Sequence, residues 1–216
     1  MVTQKLPHHV SEAEIRRLLE RFACPIPFHE VRTRFLGNIA SPLMTASPLD
    51  QVRALWGGEL PEFDSIDAAN ELIGALVMGL WNALTLHQDR KHPFRLTRFE
   101  VAETRDGLEH FARVRREEID GFVEGLFDAA ESIDLPEKAH HALNQLSELR
   151  AMLEGVRRVA SDESQPASAS QLAVTLRHLR QLTRIAEDEM QAVILSCKRA
   201  RRNMVAGRAS VKPTLH

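Results

Sequence analysis

Tyrosine is missing from the 216 residues, cysteine occurs twice, and glycine and proline supply only ten residues each. Each shortage closes a route. A β-sandwich or barrel draws on aromatic strand residues and on frequent Gly/Pro turns, and neither is in supply here. Cys24 and Cys197 are too few and too far apart for a zinc site of their own or a disulfide framework, so a reducing, cytoplasmic setting is expected. The stretch from Met1 to Val10 holds Lys5, Pro7, His8 and His9 where a secretory signal would have an apolar core. The longest uncharged apolar run, Leu72 to Leu86, is shorter than the ~20 residues of a membrane span. It reads as a buried helix, and no membrane contact is expected. Net charge is −2, which excludes a globally basic nucleic-acid coat and makes any polyanion site local.

What remains is helical periodicity. Ser11 and Glu14 form a capping box ahead of Ile15, Leu18, Leu19 and Phe22. Val31, Phe35 and Ile39 place a second helix over about 29–40, closed by Ser41-Pro42. Ser47-Pro48 opens a short third helix that stops at Gly57-Gly58. Asp64 or Ser65 caps a helix over 65–86 whose apolar residues cover so much of its circumference that it is expected to be the hub of the core, with Gly74 and Gly79 marking close approach by a neighbour. Asp106 with Glu109 is the cap expected for the next helix, running to about Ile133, and Gly121 and Gly125 sit four apart on one of its faces. Pro136 opens a helix to about Ala160 with a Leu143, Leu146, Leu149, Leu153, Val156 stripe. Residues 161–170 hold no large apolar side chain and read as a flexible linker.

The last helix is expected over 171–206, with 207–216 as a tail. Leu172, Leu176, Leu179, Thr183, Ala186, Met190, Val193, Cys197, Ala200 and Met204 recur by fours and threes, a coiled-coil seam weakened by small residues. It packs either on the 137–160 helix of its own chain or against a second copy as a homodimer. The fold class is therefore all-α: a multi-helix bundle over 1–160 with a C-terminal helical hairpin or extension.

Ser47 to Leu84 resembles the signature of the YecA/YgfB-like family of bacterial proteins. The resemblance rests on Leu55-Trp56-Gly57-Gly58 followed by Pro61-Glu62-Phe63, on Trp81-Asn82 late in the following helix, and on Glu118 to Ala129, which is similar to the family's second Gly-Phe helix start. It extends over about residues 11–160. Thr33-Arg34-Phe35-Leu36 stands where the family has Asp-Gly-Phe-Leu. The resemblance implies an all-helical protein of unassigned activity. Some relatives add a cysteine-rich zinc segment, and with no such cysteines here no zinc role is implied.

Candidate chemistry is sparse. His87, Asp89 and His92 share one loop and are the metal ligands to test; Glu137 and His140 have the i, i+3 form of a di-iron site without its second copy. Neither cysteine has a convincing His and Asx beside it, and Gly57-Gly58 lacks the Lys-Ser/Thr of a phosphate loop. Neither an enzyme nor a cofactor is expected. Arg113, Arg115 and Arg116 precede Glu117, Glu118 and Asp120 and read as a solvated, self-neutralising face. Two partner-binding surfaces stand out. One is the acidic turn with Glu59, Glu62 and Asp64. The other is the basic run Lys198, Arg199, Arg201, Arg202 and Arg208, set at a helix C-terminus and expected to project free. The functional expectation is a non-enzymatic protein-interaction or regulatory adaptor. A nucleic-acid regulator using the basic helix end is the first alternative, and its binding would be to backbone, because no aromatic side chain sits in that run. A metal-dependent helical protein is the second.

Overall fold

Ser11, Ser47 and Ser65 each accept a hydrogen bond from the amide three residues on, at 3.2, 3.4 and 3.1 Å, and each opens a helix. In the computed structural model these are α1 (Glu12–Arg21), α3 (Pro48–Ala54) and α4 (Ile66–Gln88), with α2 (Phe28–Ala40) between the first two. Three long helices follow: α5 (Arg105–Phe127), α6 (Glu137–Ser161) and α7 (Ala169–Ala209). The structure describes residues 10–43, 47–128, 130, 132–162, 164 and 167–209, without the side chains of 207–209, and no strand occurs among them. The N-terminal residues 1–9, the Arg208 side chain and residues 210–216 lie outside that set. The helix expected from 171 starts at Ala169 and runs past the expected tail boundary to Ala209.

The hub is α2 crossed by α5, not the 65–86 helix. Val31, Phe35, Leu36 and Ala40 of α2 are wholly buried, as are Phe122 and Leu126 of α5. The two backbones nearly touch. A Cβ at Gly125 would lie 1.9 Å from the Arg34 carbonyl oxygen, and one at Gly37 would lie 2.0 Å from that of Phe122. Gly121 and Gly125 thus make the close crossing their spacing suggested.

α4 departs from expectation in two ways. Leu72, Leu76, Leu80, Trp81 and Leu84 are buried, but Ile66, Met78 and Leu86 are exposed by 81, 65 and 59%, so one side faces outward. Apolar composition alone overstated its burial. Its middle, Gly74–Trp81, is wound as a π-helix and its last turn, Thr85–Gln88, as a 3-10 helix, which shifts the sequence periodicity between its ends. No atom approaches Gly74, contrary to expectation, whereas Val10 lies over Gly79. By length and composition α4 is apolar enough to cross a membrane, while its leucine side belongs to the common core.

Gly57 and Gly58 reverse the chain at φ +79° and +109°, in the left-handed region that glycine reaches at no steric cost. On either side Trp56 Nε1 donates to the Phe22 carbonyl at 2.9 Å and Phe63 meets the Phe22 ring edge-on at 5.3 Å. α5 is capped by Thr104, whose hydroxyl accepts from the Gly107 amide at 3.1 Å, two residues ahead of the expected Asp106. It ends at Phe127, with Asp128 left-handed at φ +44°, short of the expected Ile133.

The seam of α7 packs within the chain. Leu176, Leu179, Ala186, Met190, Val193 and Cys197 are buried in the same cluster as the α2 and α6 core residues. Ile194, outside the seam, is buried with them. Met204 at the end of the seam is exposed.

Candidate interaction cleft

Between α4 and α5 the chain runs extended with no strand to pair with, so its backbone groups need other partners. Side chains supply them. Phe94 and Leu96 point into the core, and their amides donate to Gln191 Oε1 at 3.2 Å and Glu187 Oε1 at 2.9 Å, residues one helical turn apart on α7. The Thr97 amide donates to Glu118 Oε1 at 2.8 Å, and Arg115 Nη2 donates to the Thr97 carbonyl at 2.6 Å. Arg32 of α2 donates to the Arg95 carbonyl at 3.3 Å and the Thr97 hydroxyl at 3.1 Å. This strap is pinned by three helices.

The pinning corrects one reading of the basic triplet. Arg113 pairs with Glu117 at 3.1 Å and Arg116 with Glu154 at 3.1 Å on partly exposed surface. Arg115 is 5% exposed and bonds to Glu118, which is wholly buried. Its guanidinium lies over the Phe111 and Phe99 rings, 4.8 and 5.2 Å from their centroids. Local charge spacing resembled a solvated face; the strap, distant in sequence, covers it.

Holding the strap also fixes the turn before it. Gln191 Nε2 donates to the His87 carbonyl at 3.1 Å, Lys198 Nζ to the Gln88 carbonyl at 2.8 Å, and Arg201 Nη2 to Gln88 Oε1 at 2.9 Å. The basic end therefore does not project free: Lys198 caps the Gln88 carbonyl at the end of α4 and Arg201 holds the Gln88 side chain. A cleft of about 810 Å³ lies between this turn and α7. Arg90 and Lys91 stand on one wall and Lys198, Arg199 and Arg202 on the other, with Leu195 and Ala206 also lining it. Asp89 is the single acid lining it among the described residues, and its carboxyl is held below the usual range first by the Lys91 amide and further by its neighbours His92, Lys91 and Lys198. Among the described residues none of the five cations pairs with a carboxylate. Arg90 and Lys91 were missed in the sequence because about a hundred positions separate them from the α7 cations, although two adjacent cations in a histidine-rich loop were a visible signal.

His87, Asp89 and His92 do not form a metal site. His87 Nδ1 bonds to the His92 carbonyl at 2.8 Å, its ring meets Phe94 edge-on at 5.1 Å, and burial pushes its pKa down. Asp89 is occupied by the Lys91 amide at 3.0 Å. No three described His, Cys, Asp or Glu side chains are arranged to hold a metal ion. Burial pushes both thiols up, Cys197 to about 11, so neither is an activated nucleophile.

Glu59, Glu62 and Asp64 are exposed, joined by Asp67 and by Ile66, and none of these acids is ion-paired among the described residues. They sit at the N-terminal end of α4; the cationic cleft sits at its C-terminal end. A further cluster lies at the α2–α5 crossing, where Glu30 faces Arg34, Glu117, Asp120 and Glu124, and His29 Nε2 bonds to Glu117 at 2.8 Å. Burial raises the Glu30 carboxyl to about 7, against the pull of Arg34.

Compared with known proteins, the chain matches no family model, no curated protein and no solved structure.

Proposed function

We propose that this protein is a non-catalytic adaptor that binds an acidic macromolecular partner in the cationic cleft. One observation carries the reading: Arg90, Lys91, Lys198, Arg199 and Arg202 line a single cleft with no carboxylate paired to them, between walls that α7 side chains hold in place. Cations left without a carboxylate partner and placed together focus a field on incoming negative charge. Supporting the non-catalytic half are the two unactivated thiols, Cys197 buried and Cys24 partly so, and the separate engagements of His87 and Asp89. We also propose membership of the YecA/YgfB-like group, on the Leu55 to Phe63 segment, and a cytoplasmic setting, on the free thiols.

The test is binding of labelled polyglutamate to the wild type and to Arg199→Glu/Arg202→Glu. Binding should weaken steeply with salt and be lost in the variant. Equal binding by both proteins refutes the cleft as the contact surface. Nucleic-acid regulation is the second reading, favoured by the same cations. No aromatic side chain lines the cleft, so bound bases would have no stacking platform. Labelled single-stranded DNA run in parallel separates the two.

A further inference from the structure

Both ends of α4 carry a surface that the fold leaves unsatisfied, and the two surfaces match. At its start, Ile66 projects 81% exposed between Asp64 and Asp67, with Glu59 and Glu62 in the preceding turn. At its end, Leu195 and Ala206 line a cleft whose walls carry five cations. One is an apolar knob ringed by acids, the other a cationic recess with Leu195 and Ala206 in its lining. We infer that the partner seated in the cleft is the Glu59–Asp67 turn of a second copy of this chain.

A chain cannot fill its own cleft in this way. The 23 residues of α4 hold the two surfaces roughly 30 Å apart at about 1.5 Å per residue, and α4 is fixed to the core by Leu72, Leu76, Leu80 and Leu84. That separation is about three Debye lengths at 0.1 M salt, so the charges of one copy do not neutralise each other across the molecule. Only a second copy brings them into contact. The net charge of −2 conceals these two surfaces, because the acids of the turn and the cations of the cleft cancel in the sum. The two surfaces differ, so the contact is heterologous: each copy uses its turn on one neighbour and its cleft on another, giving open chains or a closed ring. This differs from a two-fold pair built on the α7 seam, whose apolar residues from Leu176 to Cys197 are already buried within the chain.

The inference rests on the cleft being the contact surface, and its test separates the two claims. Full-length protein is followed by sedimentation velocity at low and high salt, with circular dichroism melts checking that every variant is folded. Wild type should form concentration-dependent oligomers at about 50 mM salt and revert to monomer at about 500 mM, a change of at least roughly tenfold in the dissociation constant. Arg199→Glu/Arg202→Glu keeps the turn and loses the cleft; Glu62→Gln/Asp64→Asn keeps the cleft and loses the turn. Each alone should be monomeric. An equimolar mixture should give a discrete dimer and nothing larger, since only one knob and one recess remain functional. Ile66→Ser should weaken wild-type association without touching either charge set. A monomeric wild type at low salt, oligomers that persist in either variant, or a mixture that fails to pair overturns the inference. If the mixture fails while wild type still binds polyglutamate through the cleft, only the self-association falls. If polyglutamate binding is absent as well, the cleft reading falls with it. Retention of DNA alone also overturns both, in favour of nucleic acid.

Discussion

Replacing Glu118 by glutamine tests whether the strap is held by a buried ion pair. Glu118 is wholly buried; one carboxylate oxygen accepts the Thr97 amide at 2.8 Å and the other bonds to Arg115, itself 5% exposed. Glutamine keeps an acceptor for the Thr97 amide and removes the charge, so the Arg115 guanidinium is left uncompensated away from water. Breaking one side of a buried pair costs about 3–5 kcal/mol. The retained hydrogen bond, the Thr183 hydroxyl at 3.2 Å and the Phe99 and Phe111 rings place this variant at the lower end, about 3 kcal/mol. In a chain of this size that lowers the melting temperature by roughly 6–12 °C. Glu118→Ala also orphans the Thr97 amide and should cost a further 1–3 kcal/mol or so. Urea unfolding of Glu118→Gln, Arg115→Met and the double variant closes the cycle: the double should cost clearly less than the two singles together, because neither charge is then stranded. A Glu118→Gln cost under about 1 kcal/mol, or strictly additive effects, would refute the buried pair as the clamp.

Three further outcomes are expected. Glu30 carries a folded-state pKa raised from 4.5 to about 7, so its ionised form is disfavoured by folding; the penalty is absent below the unfolded value, grows as pH rises from about 4.5 to 7 and is complete above that. Wild-type stability should therefore fall across that window by about 2–3 kcal/mol relative to Glu30→Gln, and parallel stability curves for the two proteins would rule out a perturbed Glu30. Gly125→Ala puts a Cβ 1.9 Å from the Arg34 carbonyl oxygen, and overpacking there should cost about 1–3 kcal/mol in urea titrations, whereas Gly74→Ala meets no atom and should be neutral or stabilising. Asn38 is wholly buried and neither of its amide atoms has a hydrogen-bond partner among the described residues, so Asn38→Leu should raise the urea midpoint, and a loss above about 1 kcal/mol would mean that the amide is satisfied in solution.

Local signals read well here. Ser11, Ser47, Ser65 and the Gly57-Gly58 pair announce helix ends because each acts within three or four residues of itself. Gly121 and Gly125 were equally legible, since two small residues one turn apart can serve only a close crossing; their counterpart Gly37 is alone in its helix and carried no such pattern. Misreadings arose where distant residues decide. Apolar content made α4 the hub, but α2, with the charged residues Glu30, Arg32 and Arg34, takes that place by lying under α5. Arg115 looks like its neighbours Arg113 and Arg116 until the strap closes over it. The candidate site was half visible: the α7 cations form a run, while Arg90 and Lys91 join them only through bonds from Gln191, Lys198 and Arg201 to the turn. Spacing within a segment carries no information about such a meeting.

The strap's amides at Phe94, Leu96 and Thr97 borrow their hydrogen bonds from residues that come later in the chain, and this orders its formation in time. On a ribosome, a nascent chain that has exposed residues up to Thr97 holds the first four helices but none of Glu118, Glu187 or Gln191. The Phe94 and Leu96 amides must stay hydrated until residue 191 has cleared the exit tunnel, and the turn carrying Arg90 and Lys91 stays unanchored with them. In the finished protein the same dependence runs backwards: a transient opening of the last helix releases the turn and the Phe94 and Leu96 amides together, while α2 and α5 still hold Arg95 and Thr97. The released amides should exchange with solvent deuterium as one cooperative unit, at the rate set by α7 rather than by any bond of their own.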